Sequence, residues 1–135
     1  MAVRPVDHLP LLGGADRPAL AGKAGVLSYA GLDLAVGRLA AWLEARELPE
    51  GARVASWLAK GMGSVLLPLA APRAGLVHVS VNPLLRHGQV AHILADSDAS
   101  LLISTPARTI AFAPGDVPSG CALRAEAEVL AEAEA

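Results

Sequence analysis

Apolar residues recur with helical spacing in the segment that follows Ser28. Four of them lie four, three and four positions apart: Leu32, Val36, Leu39 and Leu43. This spacing places them on one face of a helix. The Ser28 hydroxyl is placed to accept a hydrogen bond from an amide of the first turn, so we expect it to cap the helix. The pattern predicts an amphipathic helix that packs against a core.

Three short apolar runs, separated by helix-length segments, follow this helix. The runs cover residues 53–58, 76–81 and 100–104, and helices are predicted between them at 62–71 and at about 89–96. Strands that alternate with helices favour βαβ units with parallel pairing and right-handed crossovers. The predicted fold class is therefore α/β, with a partial parallel sheet built from βαβ units.

The predicted helix at 62–71 carries two prolines. Pro68 lies inside it and Pro72 lies at its end. A proline inside a helix removes one backbone hydrogen bond and costs about 3 kcal/mol. We therefore expect this helix to be kinked or shortened.

The chain divides into three parts by pattern. Residues 1–26 are rich in Gly and Pro and predict an irregular lead-in, with a short strand near Ala19 and Leu20. Residues 27–105 carry the α/β core. Residues 106–135 contain loop-forming Pro/Gly clusters and end in an Ala/Glu-rich run with no evident packing partner. We expect this last part to be a loop and a poorly ordered tail.

Composition excludes several classes of protein. The 135 residues are 53% hydrophobic with a net charge of −2, which favours a folded domain and gives no basic surface for nucleic acid. Cys121 is the only cysteine, so no disulfide framework is possible and a reducing, cytoplasmic compartment is favoured. The most apolar window, 62–71, is about half as long as a transmembrane helix. No membrane span is predicted.

Glycines that could form a phosphate-binding loop occur at two places. Gly61 and Gly63 lie between a predicted strand and a predicted helix, but Leu66 stands where a GxGxxG motif needs its third glycine. Gly22 and Lys23 resemble the end of a Walker loop, but the Ser or Thr that should follow is missing. We interpret both as ordinary turn glycines.

Histidine and cysteine side chains give no catalytic or metal-binding constellation. His87 and His92 are five residues apart, about 140° around a helix, and cannot face one metal from the same side. His78 lies in an apolar strand, where we expect a neutral, hydrogen-bonded ring. Cys121 has no cation nearby except Arg124, and no serine lies in a GxSxG elbow. We therefore assign no catalytic, cofactor-binding or metal-binding residue.

Six short sequence blocks along the chain are informative when taken together. They are RPAL at 17–20, LSY at 27–29 with Leu32, GARVA at 51–55, RAG at 73–75, NP at 82–83 and ILADS at 93–97. Together they resemble the opening of the AMP-forming acyl-CoA ligases, the adenylating family that includes firefly luciferase and peptide-synthetase adenylation domains. The resemblance covers about residues 16–105.

The resemblance implies the first part of the large N-terminal domain of an adenylate-forming enzyme. Such an enzyme joins a carboxylate to the AMP part of ATP and then passes the acyl group to a thiol, so ATP, Mg²⁺ and CoA are implied for the intact enzyme. The family's Ser/Thr/Gly-rich phosphate loop, its adenine block and its C-terminal lysine are absent from this sequence. The resemblance therefore transfers no catalytic residue and implies no cofactor bound by this segment alone. Gly31, where the family commonly has Glu, is one departure from the pattern.

Three hypotheses about function follow. The first is a truncated N-terminal segment of an acyl-CoA ligase, which supplies scaffold and is not catalytic alone. The second is a stand-alone interaction module that pairs in trans with the missing remainder of a ligase, or with a second copy of itself. The third is an unrelated flavodoxin-like domain, which would hold a ligand at the carboxyl ends of its strands.

Overall fold

The fold is described for residues 4–135 by a computed structural model. The helices are α1 (Tyr29–Glu44), α2 (Met62–Arg73), α3 (His87–Asp96), α4 (Pro106–Thr109) and α5 (Glu126–Glu134). The strands are β1 (Pro18–Gly22), β2 (Gly25–Ser28), β3 (Arg53–Trp57), β4 (Val77–Val81), β5 (Ala99–Ser104) and β6 (Ala122–Ala125). A 3₁₀ helix, Val6–Leu12, precedes them. Within the described residues, no helix is both long enough and apolar enough to cross a membrane.

The strands form two sheets. β1 and β2 are an antiparallel hairpin, and the other four strands form a parallel sheet in the order β4-β3-β5-β6. β3 is the first strand of the parallel sheet along the chain and lies inside it, so that Val54 pairs with His78 on one side and with Leu101 on the other. The predicted α/β class with a parallel sheet is confirmed.

Helices cover both faces of the parallel sheet. α1, α2 and α5 pack on one face, around Val54 and Ile103. α3 packs on the other face, around Ala55 and Leu102. Because successive side chains of a strand point to opposite faces, β3 and β5 supply both cores.

The helix that begins after Ser28 is present as predicted. Its four periodic apolar residues are all buried: Leu32, Val36, Leu39 and Leu43. The amide of Gly31 donates to the Ser28 hydroxyl at 3.1 Å, so Ser28 is the N-cap. The prediction from spacing and capping is confirmed.

The second helix is expected to be kinked or shortened, and the shortening is wrong, because α2 runs past both prolines to Arg73. Ser64, Pro68 and Pro72 are four residues apart and form one half-exposed stripe, opposite the buried stripe that contains Leu67. The carbonyl groups that lose a helical partner are those of Ser64 and Pro68, which lie four residues before each proline. They are on the side that water reaches, and this explains why the helix tolerates both prolines.

The expectation of a poorly ordered tail is corrected by the structure. Residues 122–125 add β6 to the edge of the sheet beside β5, and α5 packs on α1. Val129 is only 1% exposed and lies in the same core as Leu39 and Ile103. One buried valine and the half-buried Leu130 thus give the Ala/Glu-rich run the packing partner that its sequence does not reveal.

The lead-in is also more regular than expected. The strand predicted near Ala19 and Leu20 is β1. Upstream of it, the 3₁₀ helix is fixed by Arg73, whose Nε lies 3.2 Å from Asp7 Oδ2 and whose Nη2 lies 2.8 Å from Asp33 Oδ1. A single guanidinium therefore joins the lead-in, α1 and the end of α2.

Candidate functional site

The carboxyl ends of β3 and β5 are the place where a sheet of this topology would hold a ligand. The chain leaves β3 toward β4 on one side and returns to β5 on the other side, through helices on opposite faces. In open α/β sheets, ligands bind in the crevice at such a switch point, next to a helix N-terminus. Here that helix is α2, which begins directly after Gly61.

The protein's own side chains fill the part of this crevice beside Gly63. The amide of Gly63 donates to Glu126 Oε2 at 3.1 Å, and the Ser104 hydroxyl donates to the carbonyl of Trp57 at 2.7 Å. The space that Gly63 and Glu126 line together with Leu67 is too small for a water molecule. The α2 amide that would face a bound anion is therefore satisfied by an internal carboxylate.

Gly63 permits this close approach. A Cβ at residue 63 would collide with the carboxylate of Glu126 and would press against Leu58. The pair Gly61 and Gly63 therefore lies between a strand and a helix, as predicted, but Gly63 serves internal packing. Sequence reasoning missed Glu126, because nothing in an Ala/Glu-rich run marks one glutamate as the partner of an amide 63 residues away.

The second glycine pair, which resembles a Walker loop, lies in a different setting. Gly22 ends β1, and Lys23 is in the turn of the hairpin. A Walker loop connects a strand to a helix so that helix amides surround the phosphate. No helix begins at this turn, so the structure does not support a phosphate loop here.

The histidines are held in separate places. His78 Nε2 lies 2.8 Å from the hydroxyl of Ser56, whereas His87 Nδ1 lies 2.7 Å from Asp116 Oδ2. His92 is an exposed residue of α3. Among residues 4–135, no three His, Cys, Asp or Glu side chains are grouped so that they could hold a metal ion.

The contact between Ser56 and His78 has the geometry of a nucleophile and its base, but it cannot reach a substrate. Ser56 is only 3% exposed. No carboxylate orients the His78 ring in the part of the chain that the structure describes, as the third group of a catalytic triad would do. Burial lowers the pKa of His78, so the ring is neutral at pH 7. The expected neutral, hydrogen-bonded histidine is confirmed.

Cys121 is an inert thiol in this fold. Its side chain is buried, and burial raises the pKa of the thiol because the thiolate is poorly solvated there. A reactive cysteine needs the opposite shift. This burial is consistent with the expectation that Cys121 is not activated, which stays a prediction.

Comparisons with known proteins identify the family to which this α/β chain belongs. Residues 12–134 match the model of the family described as AMP-binding enzyme. The L-proline–[L-prolyl-carrier protein] ligase of Pseudomonas fluorescens is 37% identical over 82 residues, which cover 61% of this chain and 16% of that protein. Syringomycin synthase SyrB1 of Pseudomonas syringae pv. syringae is 36% identical over 92 residues, which cover 68% of this chain and 15% of that protein.

The same fold occurs in the crystal structure of ATP-bound MatB from Rhodopseudomonas palustris. The TM-score is 0.80 at 24% identity, over 93% of this chain and 27% of that one. The molecule is thus an α/β segment of the kind found in adenylate-forming enzymes. It belongs to the AMP-binding enzyme family, and it spans less than a third of the length of each of these relatives.

Proposed function

We propose that this chain is a scaffold-forming N-terminal segment of an ATP-dependent, AMP-forming ligase and that it is not catalytic alone. One observation carries the proposal: the family match covers residues 12–134, yet the chain spans only 16% of the proline ligase. In the intact enzyme, a carboxylate would attack the α-phosphate of ATP and release pyrophosphate, with Mg²⁺ as counter-charge, and a thiol would then displace AMP from the acyl-adenylate. The residues of this chain would form part of the scaffold that supports that site.

The contents of the crevice support a scaffold role. The α2 N-terminus donates to Glu126 and not to an outside anion, and the side chains of residues 4–135 offer no grouped ligands for a metal ion. This arrangement supports a segment that holds no nucleoside triphosphate or Mg²⁺ by itself. We therefore propose that ATP and Mg²⁺ are bound by other parts of the ligase and that this segment binds neither alone.

The proposal also concerns the identity of the thiol that accepts the acyl group. CoA is the acceptor in acyl-CoA ligases, whereas the proline ligase is named for a carrier protein. The name of the proline ligase therefore favours carrier-protein chemistry for this chain. We propose a reducing, cytoplasmic location, which the lone, buried Cys121 supports.

A chimera tests the proposed function directly. The 82 matched residues of this chain replace their counterpart in the proline ligase, and ATP–pyrophosphate exchange is measured with proline. We expect the chimera to keep proline-dependent exchange, since the segment supplies scaffold, and the isolated chain to give none above a blank without carboxylate. Exchange by the isolated chain would contradict the proposal, as would a folded chimera that has lost exchange.

A role in trans is the second candidate, and the open sheet edges favour it. Within residues 4–135, β4 pairs only with β3, and β6 pairs only with β5. The test mixes the isolated chain with the proline ligase from which the matched segment and all preceding residues have been deleted. Exchange that requires both pieces supports pairing in trans, and separate elution of two folded pieces contradicts it.

A further inference from the structure

An open groove runs along the outside of the β1–β2 hairpin. Its wider part encloses about 600 Å³ between residues 20–27 and residues 60–62 at the start of α2. Its narrower part encloses about 240 Å³ and ends at Arg38 and Glu134. Leu27 and Met62 line both parts, so the two parts adjoin. We call this surface the hairpin groove.

The hairpin groove has an apolar surface that the described residues leave uncovered. Val26 is 68% exposed, Leu34 is 54% exposed and Met62 is 43% exposed. The three residues come from β2, α1 and α2, and each lines the wider or the narrower part. Contiguous exposed apolar residues with a polar rim are typical of an interaction surface.

The charge of the hairpin groove is opposite to that of the whole chain. The chain has a net charge of −2 and only two lysines, Lys23 and Lys60, and both line the wider part. Arg38 lines the narrower part, where Glu134 is the acidic residue. None of these three cations is in an ion pair among residues 4–135. The complementary occupant is therefore both apolar and acidic.

The neighbouring helix end argues against a phosphate ligand. Gly61 donates its amide to the hydroxyl of Ser64 at 3.0 Å, and Gly63 donates its amide to Glu126. A phosphate in the groove would meet lysine side chains without these amides. The apolar residues also extend along both parts of the groove, which suits a polypeptide segment better than a compact anion.

We propose that the hairpin groove is the docking surface for an acidic, amphipathic segment of polypeptide from the remainder of an adenylate-forming ligase. The proposal rests on the proposed function for the origin of the partner. Apolar side chains of that segment cover Val26, Leu34 and Met62, and its carboxylates pair with Lys23 and Lys60.

Two peptides of about 18 residues, long enough to form an amphipathic helix, test the chemistry of the groove. Both carry leucines on one face; one has flanking glutamates, and the other has lysines at the same positions. We expect fluorescence anisotropy to show about tenfold tighter binding of the acidic peptide. K23E/K60E should abolish this preference. R53E/R86E changes two exposed residues outside the groove by the same charge and should keep it within about twofold.

Amine acetylation gives an independent readout, because the chain's only two lysines lie in the groove. The acidic peptide at saturation should slow acetylation of Lys23 and Lys60 by about fivefold or more, in line with the occupancy expected at saturation. The α-amino group serves as the internal control. The proposal would be overturned if both peptides bound with equal affinity, or if both double variants lost the preference for the acidic peptide equally. It would also be overturned if the peptide did not slow acetylation of the two lysines.

The outcomes separate this inference from the proposed function. An active proline-ligase chimera together with no peptide preference would overturn the hairpin groove alone. An inactive, folded chimera together with lysine-dependent binding of the acidic peptide would overturn the scaffold role alone. A dimer in sedimentation that K23E/K60E dissociates would assign the groove to a second copy and would overturn the proposed partner.

Discussion

Burial sets the charge state of His78 in this fold. Burial lowers the pKa of His78, so the unfolded chain takes up a proton near pH 6.5 before the folded chain does. The stabilising contribution is complete above that pH and is lost as the pH falls below it.

We therefore predict that His78→Gln flattens the pH dependence of stability between pH 7 and pH 5. The glutamine keeps a polar partner for Ser56 but does not titrate. Urea unfolding at the two pH values measures the change in unfolding free energy. His92→Gln is the matched control, because it makes the same substitution at an exposed position of α3. An unchanged slope in the His78 variant would contradict the assignment.

The hydrogen bond between Gly63 and Glu126 is a second contact whose contribution to stability can be measured. We predict that Glu126→Ala destabilises the fold by about 1–2 kcal/mol, because it removes the acceptor from the Gly63 amide. Gly63→Ala should cost about 1–3 kcal/mol through its collision with the carboxylate. A double-mutant cycle in urea measures the coupling, and the glycine substitution should cost less once Glu126 is gone. Additive costs would show that the two groups do not interact.

α5 shows how an element with a weak sequence signal becomes ordered. The indole nitrogen of Trp42 donates to Glu132 Oε2 at 2.8 Å, and the same carboxylate accepts from Arg124 at 2.7 Å. The guanidinium groups of Arg46 and Arg124 lie 4.3 and 5.2 Å from the centroid of the Trp42 ring. The Trp42 hydrogen bond, followed by the one from Arg124, lowers the pKa of Glu132. A polar contact thus adds to the apolar packing of Val129.

We predict that Val129→Ala loosens α5 more than any exposed substitution on the same helix. The removal of two buried methyl groups should cost about 1–3 kcal/mol. Hydrogen exchange of the α5 amides should speed up in this variant and stay near the original rate in Glu128→Ala, which changes an exposed residue. Equal exchange in the two variants would mean that Val129 does not hold the helix.

The elements differ in how much of them the sequence reveals. α1 is predictable because four apolar residues with helical spacing follow a capping serine, all within one segment. α5 is not predictable in the same way, since its burial depends on Leu39 and Ile103, far away in the chain. The length of α2 was mispredicted because the cost of Pro68 depends on which side of the helix faces water.

At the scale of the whole molecule, the sheet topology determines where a ligand site could be. Side-chain packing determines that Glu126 occupies that position beside Gly63. The βαβ pattern predicts a parallel sheet and therefore a crevice at the carboxyl ends of its strands. Whether that crevice is open depends on Glu126, which directly follows β6 and is placed there by the pairing of β6 with β5. The order of the strands and this long-range contact have no signal in local spacing.

The two outer strands of the parallel sheet lead to a prediction about the isolated chain. β4 and β6 have no further partner within residues 4–135, and Val77 and Leu123 on them are 48% and 42% exposed. Open edges with apolar residues favour pairing between molecules. We therefore predict that the isolated chain associates as its concentration rises, and that Val77→Lys with Leu123→Lys suppresses this association.

Sedimentation over about a hundredfold range of concentration measures the association, because mass action shifts a dimer of ordinary affinity within such a range. Ala41→Lys with Ala95→Lys is the matched control: it adds the same charge at exposed helix positions away from both edges. A reduced average mass in the edge variant alone assigns the association to β4 and β6. An equal reduction in both variants would assign it to net charge. The remainder of a ligase that covers the same edges should compete with self-association, since each edge strand accepts one neighbour.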